Sequence, residues 1–175
     1  MSHFLDNYNQ LVARVDALCA GITAAIGEQI TCSAGCSSCC TAITVFPVEA
    51  AAIRNALEQM PEQQSDAIRR HVAEHAADER CPLLFQHRCL LYEVRPIICR
   101  THGLPIIYTT DGQRSSDCCP LNMADIESVS GLHVIDLDKL NTLLVAVNSI
   151  YLSQTDSAES PERLAIAEVI TRQSR

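Results

Sequence analysis

The sequence predicts a mainly α fold, in which a helical domain with a small β-hairpin and two cysteine-rich irregular segments forms a metal site. Three observations support this class. Apolar residues recur at helical spacing near both ends of the chain, an Asp-Gly pair sits between two short strand-like runs, and most of the ten cysteines fall in two segments without helical periodicity. With 175 residues, the chain is expected to form one domain over 1–175, with a metal-binding core at about 31–120 and helical flanks at 3–27 and 134–172.

The first half of the chain predicts three helices. The first runs from Phe4 to Ile26, and Gly27 ends it. Its expected apolar stripe consists of Phe4, Tyr8, Leu11, Val15, Leu18, Cys19, Ile22 and Ile26. The second helix begins at Pro47, a favourable first-turn residue. The third, about Glu62 to Arg80, is mostly charged, and its thin stripe is Ile68, Val72 and Ala76.

The second half predicts a hairpin followed by two helices. "LPIIYTTDGQR" reads as two strands around an Asp111-Gly112 turn. Asp136 is the expected N-cap of a helix with one apolar stripe, made of Leu137, Leu140, Leu144, Val147 and Tyr151. A last helix is expected to open at Ser160-Pro161-Glu162, with Ile166, Val169 and Ile170 on its apolar face.

Composition narrows the function classes. The formal net charge is −8 and no basic stripe with interleaved aromatics is visible, so we expect no nucleic-acid partner. The N-terminus lacks a basic region before an apolar run, and no 18 apolar residues follow one another. We therefore expect no signal peptide, no membrane association and a cytoplasmic location. Because cytoplasmic thiols are kept reduced, a dense cysteine pattern there indicates metal binding or catalysis rather than disulfides.

The cysteine spacing in "TCSAGCSSCC" is the strongest signal. Cys32, Cys36 and Cys39 form C-x3-C-x2-C, with Cys40 next, and such spacing lets a short stretch of backbone aim several sulfurs at one point. Further ligands are expected from the second segment. The candidates there are Cys81, Cys89, Cys99 and Cys118. Adjacent cysteines point in different directions, so Cys39 and Cys40 either serve two centres or one of them is structural. Zinc and an iron–sulfur cluster both suit all-sulfur ligation.

Other residues of this segment are assigned supporting roles. Arg95 and Arg100 lie near Cys89 and Cys99 in the sequence, and they are expected to offset thiolate charge and donate hydrogen bonds to sulfur around the cofactor. Cys19 falls within the apolar stripe of the first helix and is expected to be structural.

The runs "CSAGCSSCC" and "CPLLFQHRCLLYEVRPIICRTHG", followed by a later cysteine, resemble the YkgJ-type cysteine-cluster family, whose domain is described as zinc- or iron-chelating. The resemblance covers about Cys32 to Cys119 and implies eight characteristic cysteines as the metal ligands. These are Cys32, Cys36, Cys39, Cys40, Cys81, Cys89, Cys99 and Cys118, with Cys119 as the alternative to Cys118. The first spacing here is three residues, where the CxxCxxCC short name of the family implies two. The same cluster is similar to one found in flagellin lysine methylases.

These observations favour a metal-binding protein with a cysteine-thiolate site, holding an iron–sulfur cluster used in electron transfer or redox sensing. Cys81-Pro82 and Cys119-Pro120 resemble the Cys-Pro that ends ferredoxin motifs. The alternatives are a zinc-binding structural or interaction domain and an accessory or catalytic part of a methylase-like system. The protein partner is unidentified by the sequence.

Overall fold

The structure is a computed structural model, and it describes residues 3–32, 35–122, 133–155 and 162–172. Within these ranges the α-helices are α1 (Asp6–Ile26), α2 (Pro47–Gln59), α3 (Glu62–Glu74), α4 (Ile97–Thr101), α5 (Leu137–Gln154) and α6 (Ile166–Thr171). The strands are β1 (Thr44–Val45), β2 (Leu84–Phe85), β3 (Arg88–Cys89), β4 (Ile106–Thr110), β5 (Gln113–Asp117), β6 (Ile135–Asp136) and β7 (Leu164–Ala165). The protein is thus mainly α, with a few short strands.

The chain divides into two compact units. Unit 1 comprises the described residues within Met1–Leu5, Ala34–Pro96 and Asn148–Arg175, and unit 2 those within Asp6–Ser33 and Ile97–Val147. The expectation of a single domain over 1–175 stays a prediction.

Unit 1 is built on a two-stranded pair that starts two helices. β1 pairs antiparallel with β7 through Thr44↔Ala165 and Val45↔Leu164. One strand then leads into α2 at Pro47 and the other directly into α6. The helices α2, α3 and α6 enclose an apolar core of Val45, Ala50, Ile53, Leu57, Ile68, Val72, Leu83, Leu91, Leu164, Ile166, Val169 and Ile170. Cys81 and Cys89 pack against this core, which fixes where their backbone lies.

Two helix predictions in unit 1 need correction. α3 ends at Glu74 rather than near Arg80, and Ala76 is exposed, so the apolar stripe is shorter than expected. The last helix starts at Ile166, because Leu164 and Ala165 are used for pairing with β1. Of the expected helix opening, Ser160 and Pro161 lie outside the described residues.

Unit 2 combines α1, α4 and a three-stranded sheet in the order β5-β4-β6. β4 and β5 form the predicted hairpin, whose turn residues Asp111 and Gly112 have φ of +52° and +75°. Positive φ at both positions is typical of a type I′ turn, which matches the twist of the strands. β6 adds parallel to β4, and Ile22, Leu104 and Ile135 form the buried core of this unit.

The expected N-cap of α5 and the expected end of α1 at Ile26 are confirmed, and the apolar stripe of α1 is confirmed in part. The Asp136 side chain accepts a hydrogen bond from the backbone N–H of Lys139 at 3.1 Å, as expected for an N-cap. In α1, Tyr8, Leu11, Val15 and Ile22 are buried as expected. Phe4 and Leu18 are exposed instead. Phe4 belongs to a short 3-10 helix, His3–Leu5, in which Leu5 is the buried residue, and Leu18 lies at the edge of the buried face.

One helical stretch, His3–Gln29, is long and apolar enough, by length and composition alone, to cross a membrane. That criterion is weak evidence, because core helices of soluble proteins and N-terminal signal sequences also meet it. The stretch carries Arg14 and Asp16 near its middle, and Asp16 forms an ion pair with Arg100 inside unit 2. The expected absence of a membrane partner stays a prediction.

The start of α2 generates a prediction for stability. Val48 is the second residue of α2, so its N–H has no acceptor within the helix, and it donates to Asn148 Oδ1 at 3.1 Å instead. Both residues are buried. We expect Asn148→Ala to leave a buried donor without its acceptor and to lower the free energy of unfolding by about 1–3 kcal/mol. Urea unfolding measures it.

The matched control is Asn141→Ala, which changes an exposed asparagine of the same helix. An equal loss of unfolding free energy in both variants would show that the hydrogen bond to Val48 contributes nothing beyond helix propensity.

Candidate metal centre

The cysteines are divided between the two units. All ten lie in described ranges, and none of them forms a disulfide there. Unit 1 contains Cys36, Cys39, Cys40, Cys81 and Cys89. Unit 2 contains Cys19, Cys32, Cys99, Cys118 and Cys119. Each group is therefore described in its own unit.

In unit 1, a short antiparallel pairing joins the two cysteine segments. The Cys81 N–H donates to the Cys40 carbonyl at 3.1 Å, and the Ala42 N–H donates to the Glu79 carbonyl at 3.0 Å. Between them, Thr41 and Arg80 form an isolated antiparallel bridge. The backbone at 40–42 thus lies against the backbone at 79–81, which brings Cys40 beside Cys81.

A tight hairpin then returns Cys89 to the same place. β2 and β3 pair through Leu84↔Cys89 and Phe85↔Arg88, leaving Gln86 and His87 as a two-residue turn. Their φ values are +48° and +62°, an uncommon conformation for residues other than glycine. The Leu84 N–H also donates to the Cys81 carbonyl at 3.0 Å. The sequence did not predict this hairpin, because Gln-His lacks the glycine or asparagine that marks such turns.

Ser37 fixes the first cysteine loop to the second segment. It is only 6% exposed, although it lies in a polar loop. Arg80 Nη2 donates to the Ser37 carbonyl at 2.7 Å and to its Oγ at 3.2 Å, and Oγ lies 3.0 Å from His87 Nδ1. The Ser37 carbonyl also accepts the Cys40 N–H at 3.1 Å. Sequence reasoning missed both Ser37 and Arg80; the position of Arg80 directly before Cys81 was the available signal.

Electrostatics shows that the unit 1 thiols influence one another. Burial raises the pKa of Cys89 to about 11, and negative charge on Cys81 and Cys40 adds to the rise while Arg95 opposes it. Burial also raises the pKa of Cys81. The pKa of Cys40 is raised first by burial and then by charge on Cys81, with Arg80 acting in the opposite direction. Without a cation, these thiols hold their protons at neutral pH, and a bound metal ion would have to displace them.

The two arginines with predicted supporting roles have different surroundings. Arg95 lies over the Tyr92 ring at 3.9 Å and is near enough to Cys89 to favour its thiolate. Arg100 donates to Asp16 at 2.6 Å, and its side chain is largely buried in unit 2. Their predicted contacts with cofactor-bound sulfur stay predictions.

In unit 2, Cys32 and Cys119 approach one glycine. A Cβ at Gly103 would stand 2.9 Å from Cys32 Sγ and 3.8 Å from Cys119 Cβ. Asn122 Nδ2 lies 3.2 Å from Cys32 Sγ. Cys99 is exposed on α4, and the Cys118 N–H donates to the side chain of Asp117, the last residue of β5, at 2.8 Å. Cys19 Sγ points to the Arg100 carbonyl at 3.6 Å and packs beside the unit 2 core.

The donor chemistry fits a soft metal or a metal cluster, because each unit contains cysteine thiols from separate segments of the chain. Within the described part of the chain, no three His, Cys, Asp or Glu side chains already stand around one point as metal ligands. The predicted set of eight ligands stays a prediction.

The raised pKa values in unit 1 predict strong pH dependence of metal binding. Cys89 has a pKa of about 11 and is therefore protonated at pH 6.5 and at pH 8, so it must release a proton when it binds metal. The same holds for Cys40 and Cys81, whose pKa values are also raised. We expect the affinity for zinc to rise about tenfold per pH unit for each proton released. Competition with a chelator of known proton affinity at both pH values measures it. Equal affinities would show that the buried thiols are not ligands.

Comparison with known proteins gives one match. Residues 31–120 match the family model "CxxCxxCC: Putative zinc- or iron-chelating domain". No curated protein and no solved structure matches the chain significantly. The matched residues include nine of the ten cysteines and make up just over half of the 175-residue chain. The chain belongs to the CxxCxxCC family, as the resemblance of its two cysteine-bearing runs predicted.

Proposed function

We propose that the unit 1 thiols hold an iron–sulfur cluster used in electron transfer or redox sensing. The observation that carries the proposal is the meeting of the Cys36–Cys40 loop with Cys81 and Cys89, through the pairing of 40–42 with 79–81. Family membership supports metal chelation in general.

The donors of unit 1 are sufficient in number and type for a cluster. Cys36, Cys39 and Cys40 provide closely spaced thiols, and Cys81 or Cys89 can complete a set of four. Pro82 follows Cys81 directly, as proline follows cysteine in ferredoxin motifs. When bound, an iron–sulfur cluster supplies a one-electron redox couple.

The residues of this chain would tune such a centre through charge, burial and hydrogen bonding. Arg80 and Arg95 lie where they favour the thiolates of Cys40 and Cys89. Cys81 and Cys89 pack against the apolar core, which limits access of water to one side of the site. Burial and nearby cations act on the redox potential of a cluster in opposite directions, so their balance sets it.

A closed zinc site is the competing function, and the five thiols of unit 1 could supply its four ligands without leaving an open position. Purification without air separates the two. The cluster predicts iron, acid-labile sulfide and visible absorption. Stoichiometric zinc with neither sulfide nor visible absorption would overturn the cluster and favour a zinc-stabilised structural role.

Single substitutions test which thiols bind the metal. We expect Cys36→Ser and Cys39→Ser to lower bound metal sharply, because each removes a sulfur from the gathered set. Cys19→Ala is the matched control, since Cys19 contacts a backbone carbonyl and the core of unit 2. Metal content per chain, with circular dichroism to check folding, is the measurement. The assignment fails if all three variants keep the same metal content.

A further inference from the structure

We propose that unit 2 carries a second thiolate metal centre of its own, with Cys32 and Cys119 as ligands, Cys99 and Cys118 available to complete it, and Asn122 as the residue that positions it. This inference rests on the proposed function, namely that thiols of this chain bind metal. It divides the expected ligands between two separate centres and adds Asn122, a residue outside the 31–120 match to the family.

Gly103 provides the space in which the two cysteines meet. Its φ is +92°, and a methyl group there would lie 2.9 Å from Cys32 Sγ, closer than a real Cβ contact allows. The same point is 3.8 Å from Cys119 Cβ. Cys32 and Cys119 are thus brought to one place by a backbone conformation that favours glycine and by the absence of a side chain.

Asn122 joins the three segments that meet there. It is 2% exposed. Its Oδ1 accepts the N–H groups of Thr31 at 2.9 Å and Cys32 at 3.2 Å, and its Nδ2 donates to the Gly103 carbonyl at 2.6 Å. Its own N–H donates to the Cys119 carbonyl at 2.8 Å. One buried amide therefore fixes the backbone on both sides of the predicted site.

The hydrogen bond from the second N–H of the Asn122 amide supports Cys32 as a metal ligand. Nδ2 lies 3.2 Å from Cys32 Sγ, and a neutral thiol is a weak acceptor for a buried donor. A metal-bound thiolate is a strong one, because hydrogen bonds to charged acceptors are about twice as strong as neutral ones. Amide hydrogen bonds to ligating sulfur are a common way of orienting and tuning thiolate sites.

The sequence spacing of Cys32 and the number of cysteines in unit 2 agree with a separate metal centre. Cys32 stands one residue further from Cys36 than a C-x2-C repeat would place it, and its contacts described above all lie in unit 2. Besides Cys19, unit 2 holds four cysteines, Cys32, Cys99, Cys118 and Cys119, the number that one tetrahedral ion or one cluster requires.

The test maps the protection of each cysteine in the full chain. Protein purified without air is treated with N-ethylmaleimide before and after metal removal with a strong chelator, and modified cysteines are identified by mass spectrometry. We expect Cys32 and Cys119 to be unreactive in the loaded protein and reactive after chelation. If they react equally in both states, unit 2 holds no metal and this inference is overturned.

Double variants separate the two centres. Cys32→Ser/Cys119→Ser should lower metal content by about half and leave Cys36, Cys39 and Cys40 protected. Cys36→Ser/Cys39→Ser should leave Cys32 and Cys119 protected. If the first variant also exposes the unit 1 cysteines, a single shared centre replaces the two proposed here, while metal binding stands. If the wild-type protein contains no metal and chelation changes no reactivity, the proposed function itself fails.

Asn122→Asp tests the positioning role, since it replaces the N–H donor with an oxygen at nearly constant volume. We expect faster alkylation of Cys32 in the loaded protein, with no change for Cys36 and Cys39. Asn141→Asp, on the exposed surface of α5, is the control. Unchanged Cys32 reactivity in Asn122→Asp would overturn the positioning role of the amide. The N-ethylmaleimide modification pattern of the wild-type protein tests the proposed ligands independently of any variant.

Discussion

The arrangement of the unit 1 thiols depends on one short backbone pairing, that of residues 40–42 with residues 79–81. The first cysteine loop has little apolar surface, so packing alone cannot hold it. The pairing joins this loop to the segment that begins at residue 79. Leu83 and Leu91, further along that segment, are buried in the apolar core of unit 1. Arg80 and Ser37 reinforce the same junction through side-chain hydrogen bonds. A polar, thiol-bearing loop is thus positioned by a rigid neighbour, and the hairpin turn at Gln86 and His87 is strained to complete the arrangement.

The two units place different polar groups beside their cysteine thiols. In unit 1, Arg80 and Arg95 lie close enough to act on Cys40 and Cys89, against burial that favours the protonated thiols. In unit 2, Arg100 forms an ion pair with Asp16. The neutral amide of Asn122 there donates a hydrogen bond to Cys32 Sγ. A neutral donor stabilises thiolate less than a cation does, and two centres built in these ways would differ in metal affinity or redox potential.

Local signals in the sequence were sufficient for much of the fold. Pro47 begins α2, Asp111-Gly112 makes the hairpin turn, and Asp136 caps α5, because each feature depends on residues within a few positions. Long-range pairing was not visible: Leu164 was expected in a helix, but its pairing with Val45 makes it a strand residue. The site shows the same limit. Resemblance to a known family predicted the family, but the contact of Asn122 with Cys32 spans 90 positions and no periodicity encodes it. The division of the cysteines between the two units was likewise not predictable from the sequence.

We expect bound metal to stabilise the junction of residues 40–42 with 79–81 beyond what its hydrogen bonds provide, and hydrogen exchange with and without metal measures this. Structural metal sites contribute on the order of 10–16 kcal/mol, comparable to the whole stability of a domain. Removal of the metal should therefore abolish amide protection at Cys40, Ala42 and Cys81, whose N–H groups form the junction or its first turn. Protection in α2 should largely persist, because that helix is held by the apolar core. Unchanged protection across 36–42 and 79–89 after complete metal removal would show that metal does not stabilise this junction.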